Sequence, residues 1–290
     1  MAIPIDGLSI KLADYLADQG FRNDATGPGR AQIVMLRGCR RDGRRIVQLG
    51  DPLVYTDRYE DLMVVFGQKG GSQPFLATYR ATAKPGIAWI KSSTYAASNK
   101  GCPTVQPGQY PYKRGMHRTH RAMVQAGPVC VIRDLDQDCK LEVSDLVDYP
   151  YGTGINIHAS SDTGERVGWN SSGCQVLHGS WYGSAWPEFY DLIYRVAAGQ
   201  SIFHYTVVDW LDFGRWHDAA DKSCYCSLRF GAHGENVEML QRKLAIRGFF
   251  GAELIDGEFG RGTDRALRAY QRRHGLSPDG VIPLHTLPTL

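Results

Sequence analysis

Between residues 25 and 93 the chain alternates short apolar runs (AQIVML, RRIVQL, DLMVVF, FLATYR) with turns built on Gly, Asp and Pro. Runs of that length, rich in β-branched and aromatic residues, predict an antiparallel sheet. Further strands are expected at 128–133 (PVCVIR), 154–158 (GINIH) and 174–177. PEFYDLIYRVAAG at 187–199 reads as a helix, with Pro187 in its first turn and Gly199 at its end. Ahead of the strands, Ile10, Leu12 and Leu16 suggest a short amphipathic helix.

The pattern changes again from residue 228. Val237, Leu240 and Leu244 fall on one helical face, and Gly248 is placed to stop that helix. Thr263 is placed as the N-cap of a second helix, with Ala266, Leu267 and Tyr270 as its buried stripe and Gly275 at its end. The polar stretch 212–227 reads as a linker. The expected architecture is therefore a β-rich domain over 61–211, an N-terminal helix and strands (1–60) belonging to it or packed on it, and a small all-α module over 228–290.

Composition changes this picture little. At 290 residues, 43% hydrophobic and 22% charged, the chain suits one medium and one small folded domain. A net charge of +3 makes no case for nucleic acid. Basic runs at 37–45, 113–121 and 268–274 suit a solvated face first, and a carboxylate-bearing polymer or an anionic membrane surface second. No stretch is long enough to span a membrane. Asp6, Asp14 and Asp18 interrupt the N-terminal apolar residues, so no signal peptide is read there. A monomer is expected. With Cys174 set aside, six cysteines remain, compatible with three disulfides or with reduced thiols.

The candidate chemistry centres on His158, at the end of GINIH, and on Cys174, sixteen residues later in SSGCQV. An imidazole that takes a thiol proton makes a nucleophile able to attack a carbonyl. Ser172 and Gly173 keep bulk away from the sulfur, and backbone amides at such a turn can face an oxyanion. Asn156, Gln175, His117 and His120 are the candidate substrate-binding residues. Asp162 and Glu165, between His158 and Cys174, are the alternative acid and base for a glycan-cutting enzyme. No Cys or carboxylate stands at zinc-like spacing from His117 and His120, so no catalytic metal is expected. DLDQDCKLEVSD at 134–145 places Asp134, Asp136, Asp138 and Asp145 where oxygen ligands wrap calcium, although Cys139 stands where such loops use Gly. The other reading is an acidic surface turn, and no cofactor is required.

SSGC ahead of a hydrophobic strand, with INIH upstream, resembles the active-site segment of L,D-transpeptidase catalytic domains. DLMVVF at 61–66 is similar to the family's early strand, and PTVQPGQYPY at 103–112 to its Thr-Pro-x-Gly turn, so the resemblance covers about residues 60–200. It implies a sheet sandwich with few helices, Cys174 as nucleophile and His158 as its base. The family places Arg directly after the Cys, where this chain has Gln175. LRFGAHGENVEMLQRKLAIRGFF and the following DGEFGRGTDRALRAYQRRHGLSPDG resemble the three-helix peptidoglycan-binding domain of wall hydrolases, with Pro283 where that family has Gly.

Together the two resemblances imply a hydrolase of bacterial peptidoglycan, similar to endolysins, made in the cytoplasm and acting on the wall after release or export. Hydrolysis is favoured over cross-linking because Gln175 replaces the Arg. The alternatives are a cross-linking L,D-transpeptidase, a muramidase-like glycan hydrolase on the same fold, and a non-catalytic wall-binding protein.

Overall fold

The computed structural model describes residues 2–92, 100–142 and 144–290. Eight strands close into a barrel: β1 (Arg30–Arg37), β2 (Asp61–Gln68), β3 (Pro74–Thr82), β4 (Gly108–His117), β5 (His120–Gln125), β6 (Ile157–Ser160), β7 (Gln175–Ser180) and β8 (Phe203–Asp209). Their order around the barrel is β6-β7-β3-β2-β1-β8-β4-β5. The expected antiparallel sheet is its β1-β2-β3 part, with β2 and β3 paired from Asp61↔Ala81 to Gln68↔Pro74.

The barrel replaces the expected sandwich. Closure rests on one antiparallel contact, Ile157↔Met123, and on two parallel pairings, β6 with β7 and β8 with β1. Parallel partners lie far apart in sequence, so an apolar period reveals the strands without revealing that the two edges meet. Buried polar groups then fix the register. Tyr205 donates to Gln175 Oε1 (2.8 Å), Tyr112 to the Ile155 carbonyl (2.9 Å), and the Gln109 amide to Thr206 Oγ1 (3.0 Å). Each would cost more unpaired than it contributes paired, so a slipped strand is penalised.

Two small sheets flank the barrel: Ala2–Pro4 with Arg45–Gln48 and Cys39–Asp42, and Leu146–Asp148 with Val131–Asp134 and Cys102–Val105. Helix α1 (Leu8–Asp18) buries Leu8, Leu12, Tyr15 and Leu16, while Ile10 faces solvent at 66% exposure. Helix α2 (Ala185–Asp191) runs on into a π-helical turn, Leu192–Val196.

The segment expected as a linker carries helix α3 (Trp210–Asp218). Trp210, Phe213 and Trp216 recur at helical spacing and are buried, and Tyr15 meets Phe213 and Trp216 edge-on at 5.4 and 5.3 Å. Its average polarity hides that apolar face.

Helices α4 (Glu235–Ile246) and α5 (Arg261–Arg273) bury Val237, Leu240, Leu244, Ala266, Leu267 and Tyr270 as their spacing predicts. Gly260, not Thr263, caps α5; Thr263 lies inside the first turn and binds the Gln241 amide (3.0 Å). The expected third helix is a 3-10 turn, Leu284–Thr289, because Pro288 inside it lacks the N–H an α-helix needs.

The C-terminal module is not tethered at a distance. Phe230 stacks on Tyr110 of β4 (5.3 Å), and its carbonyl accepts from the Gln109 amide (2.9 Å). Gly231 is required here: at φ 92° a Cβ would sit 2.1 Å from the Gln109 carbonyl oxygen. The Gln19 side chain grips the Tyr225 carbonyl and the Ser227 amide, each at 3.0 Å, and Arg22 pairs with Glu258 at 2.5 Å. One apolar core runs through barrel and module. Arg268, in the basic run 268–274, is buried against Asp264 (2.7 Å) instead of facing a polymer. No helix among the described residues is long and apolar enough to cross a membrane.

Candidate active site

β6 and β7 lie side by side, with Ile157 opposite Gln175 and His158 opposite Val176. A parallel pair demands a crossover, and residues 161–174 supply it. The chain returns with Cys174 one residue ahead of β7, beside the strand that holds His158. His117, at the end of β4, joins them: donor atoms of His117, His158 and Cys174 all lie within 4.8 Å of one another.

Local chemistry shapes the nucleophile turn. Gly173 has φ 132°, and a Cβ there would lie 2.6 Å from Pro103 Cγ and 2.7 Å from its carbonyl oxygen. The hydroxyl of Ser171 donates to the Cys174 carbonyl (2.8 Å) and accepts from the Gly173 amide (3.2 Å). Ser171 therefore pins the turn, and Ser172 lies half-buried beside it.

Cys174 is 6% exposed, and its thiol donates to the Gly154 carbonyl at 3.2 Å. Burial pushes it up to about 11, against the pull of the Asn156 backbone amide and the charge on Arg118. His158 is also buried, and burial, then His117 and Arg118, push it down to about 3. Its Nδ1 donates to the Ala159 carbonyl at 2.6 Å, which leaves Nε2 as the acceptor. Burial lowers His117 too, with Arg118 and His120 adding to the shift. The site is a neutral thiol beside neutral imidazoles.

The imidazoles belong to an aromatic column. His117 stacks on His158 (4.1 Å), His158 faces Trp181 (5.8 Å), and Trp181 stacks on His120 (4.2 Å). Asn156 Nδ2 meets His117 Nδ1 at 3.0 Å, so Asn156 orients that ring from behind. The cleft in front has a volume of about 440 Å³ and is also bordered by Arg118, Ser161, Trp169 and Asn170. Arg118 stands at the tip of the β4–β5 hairpin with φ 53°, a conformation rare for a residue with a side chain. Among the described residues it makes no ion pair, and none of those bordering the cleft is a carboxylate.

Several expectations change. Gln175 is fully buried; its Oε1 accepts from Tyr205 and its amide donates to the Gly173 carbonyl (3.2 Å), so it braces the barrel and does not face substrate. Glu165 lies outside the cleft in a two-bond ion pair with Arg80 (3.0 and 2.6 Å), which holds its carboxyl below the usual range. A carboxylate so held is a poor proton donor. Asp162 accepts from the Gly164 amide (2.8 Å) and the Asn170 side chain (3.2 Å) within its own loop. Ser171 opens the SSGC segment and Arg118 lies in the basic run 113–121, whereas Trp169 and Trp181 carry no motif.

His117, His158 and Cys174 also form a donor set that suits a thiophilic cation such as zinc, assembled from two strands and the turn before a third and so invisible as a sequence spacing. Cys39, Cys130, Cys139, Cys174, Cys224 and Cys226 are free thiols. In the 134–145 loop, carboxylates of Asp134, Asp136 and Asp138 come together, while Asp145 turns back to the Glu142 amide (2.8 Å).

Comparison with known proteins reaches the C-terminal module. Residues 233–287 match the family described as "Putative peptidoglycan binding domain". The N-acetylmuramoyl-L-alanine amidase CwlM of Mycobacterium tuberculosis is 44% identical over 64 residues, 21% of this chain and 16% of that protein. A spore cortex-lytic enzyme of Bacillus cereus is 47% identical over 56 residues, 19% of this chain and 21% of that protein. The chain thus spans about a fifth of the length of the curated relatives it matches. No solved structure matches significantly.

Proposed function

We propose that the protein is a peptidoglycan hydrolase whose barrel cleaves wall peptide through a thioester on Cys174. The observation that carries this reading is the meeting of His158, its Nδ1 committed to the Ala159 carbonyl, with Cys174: a ring nitrogen of the one and the sulfur of the other belong to the same 4.8 Å cluster. The C-terminal domain family, and relatives named as a wall amidase and a cortex-lytic enzyme, support the polymer as substrate.

In the proposed reaction His158 Nε2 takes the thiol proton as Sγ attacks the peptide carbonyl. The C–N bond breaks, and the same proton passes to the leaving amine. Water then attacks the thioester, giving a proton to His158, and the released thiolate recovers it. The Gly173 amide is engaged by Ser171, which leaves the Cys174 amide as the backbone donor to the oxyanion. His117 supplies a second donor, because Asn156 at Nδ1 keeps its proton on Nε2. Arg118 is the cation in place to meet a carboxylate of the wall peptide, the role vacated by the buried Gln175.

Mass spectrometry of purified peptidoglycan after incubation tests the reading. New free amines and carboxyls from peptide cleavage support it. New cross-links would transfer the same chemistry to an amine acceptor, new reducing ends would point to glycan cleavage, and unchanged wall would leave a binding protein.

A further inference from the structure

The strongest unassigned feature lies away from the thiol, in the loop after Val131–Asp134. Carboxylate oxygens of Asp134, Asp136 and Asp138 lie within 4.8 Å of one another. Asp134 is 1% exposed; its Oδ2 accepts from the Cys139 amide (3.1 Å), whereas its buried Oδ1 has no hydrogen-bond partner among the described residues. A carboxylate with a buried, unsatisfied oxygen, clustered with two more carboxylates, is costly unless a cation answers it. Lys140, 3.7 Å from Asp138, and Lys91, whose ammonium donates to the Gln137 carbonyl of the same loop, are two charges against three.

We propose that this loop binds calcium, with Asp134, Asp136 and Asp138 as its carboxylate ligands, and that the ion braces the strand behind the nucleophile turn. Oxygen-only donors select a hard cation over zinc. Three side chains in an irregular loop suit calcium's adaptable shell better than magnesium's strict octahedron. Waters and carbonyls complete the coordination, so the site belongs with weak ones, Kd about 10⁻⁴–10⁻³ M. Cys139 takes φ 70° at the point where such loops turn, so the missing glycine does not prevent the turn. The link to Cys174 is short. Asp134 pairs with Cys102, and the next residue, Pro103, fills the space against Gly173.

The inference is independent of the hydrolase reading, and its test needs no substrate. Full-length protein stripped with chelator should gain several degrees of Tm in about 5 mM calcium and much less in equal magnesium. Terbium should bind with luminescence sensitised by Tyr55, whose amide donates to the Cys139 carbonyl (3.0 Å). Asp136→Asn, at an exposed position, should fold, melt higher than wild type in chelator, and lose the calcium gain. A flat wild-type response to calcium without terbium signal overturns the proposal. A calcium gain retained in Asp136→Asn overturns it too, because the ion is then elsewhere.

Discussion

The barrel and the C-terminal module share one apolar core, yet they disclose themselves differently. In α4 and α5 the buried stripe of each helix is a local pattern, and the family match falls there. In the barrel, His117 and His158 come from two strands and Cys174 from the turn before a third, and only pairing around a closed ring brings them together. A local helical pattern is written in the residue order, whereas a site assembled by strand pairing is written in the topology. Because the two regions share that apolar core, a cut between them should disturb both.

The largest effect expected separates the regions functionally. Cys174→Ala should lower peptide cleavage by more than about 10³-fold, since no other group can form the thioester, while pull-down on insoluble peptidoglycan stays at the wild-type level. Cleavage by a folded Cys174→Ala protein would remove the thiol mechanism altogether.

The shared core predicts the next effect. Phe230 is 6% exposed and stacks on Tyr110, so Phe230→Ala should cost about 3–5 kcal/mol. Deleting residues 228–290 should lower the Tm of the barrel for the same reason, instead of only weakening wall binding. A truncated barrel that melts where the whole chain does would restore the picture of two independent units.

These two tests also mark how much was legible in the sequence. The strands of 30–37, 61–68 and 74–82, the buried faces of α4 and α5, and the pairing of His158 with Cys174 follow from period and motif. Barrel closure does not, since it depends on Ile157 meeting Met123. Helix α3 was hidden because Trp210, Phe213 and Trp216 lie among polar residues. Gln175 follows the nucleophile in sequence, yet alternation along β7 turns it to Tyr205. Arg118 reaches the cleft only because the β4–β5 hairpin carries it there.

Arg118→Gln sharpens that last point. It should reduce kcat/KM about tenfold on peptides bearing a free carboxylate next to the scissile bond, with little change for the corresponding amides. Arg118→Lys should recover part of the loss. Equal losses on acid and amide would reduce Arg118 to a structural residue of the hairpin.

The smallest effect expected is that of pH, and its smallness is the diagnostic. With the His158 imidazole down near 3 and the Cys174 thiol up near 11, both by burial, one protonation state spans the whole neutral range. That state carries a single proton on the pair, as the general-base attack requires. Below the lower value His158 gains a proton and loses its basicity; above the upper value the thiol is already ionised. Between about pH 5 and pH 9, kcat/KM should therefore vary less than about twofold, with no limb near the ordinary imidazole value of about 6.5. Alkylation of Cys174 by iodoacetamide should behave in the opposite way, because it needs free thiolate and has no base in its transition state. Its rate should climb about tenfold per pH unit across the same range. A preformed thiolate–imidazolium pair would make alkylation fast and flat from acid pH upward. That result would mean that His117, Asn156 and Arg118 hold charge in the cleft more strongly than its burial opposes it.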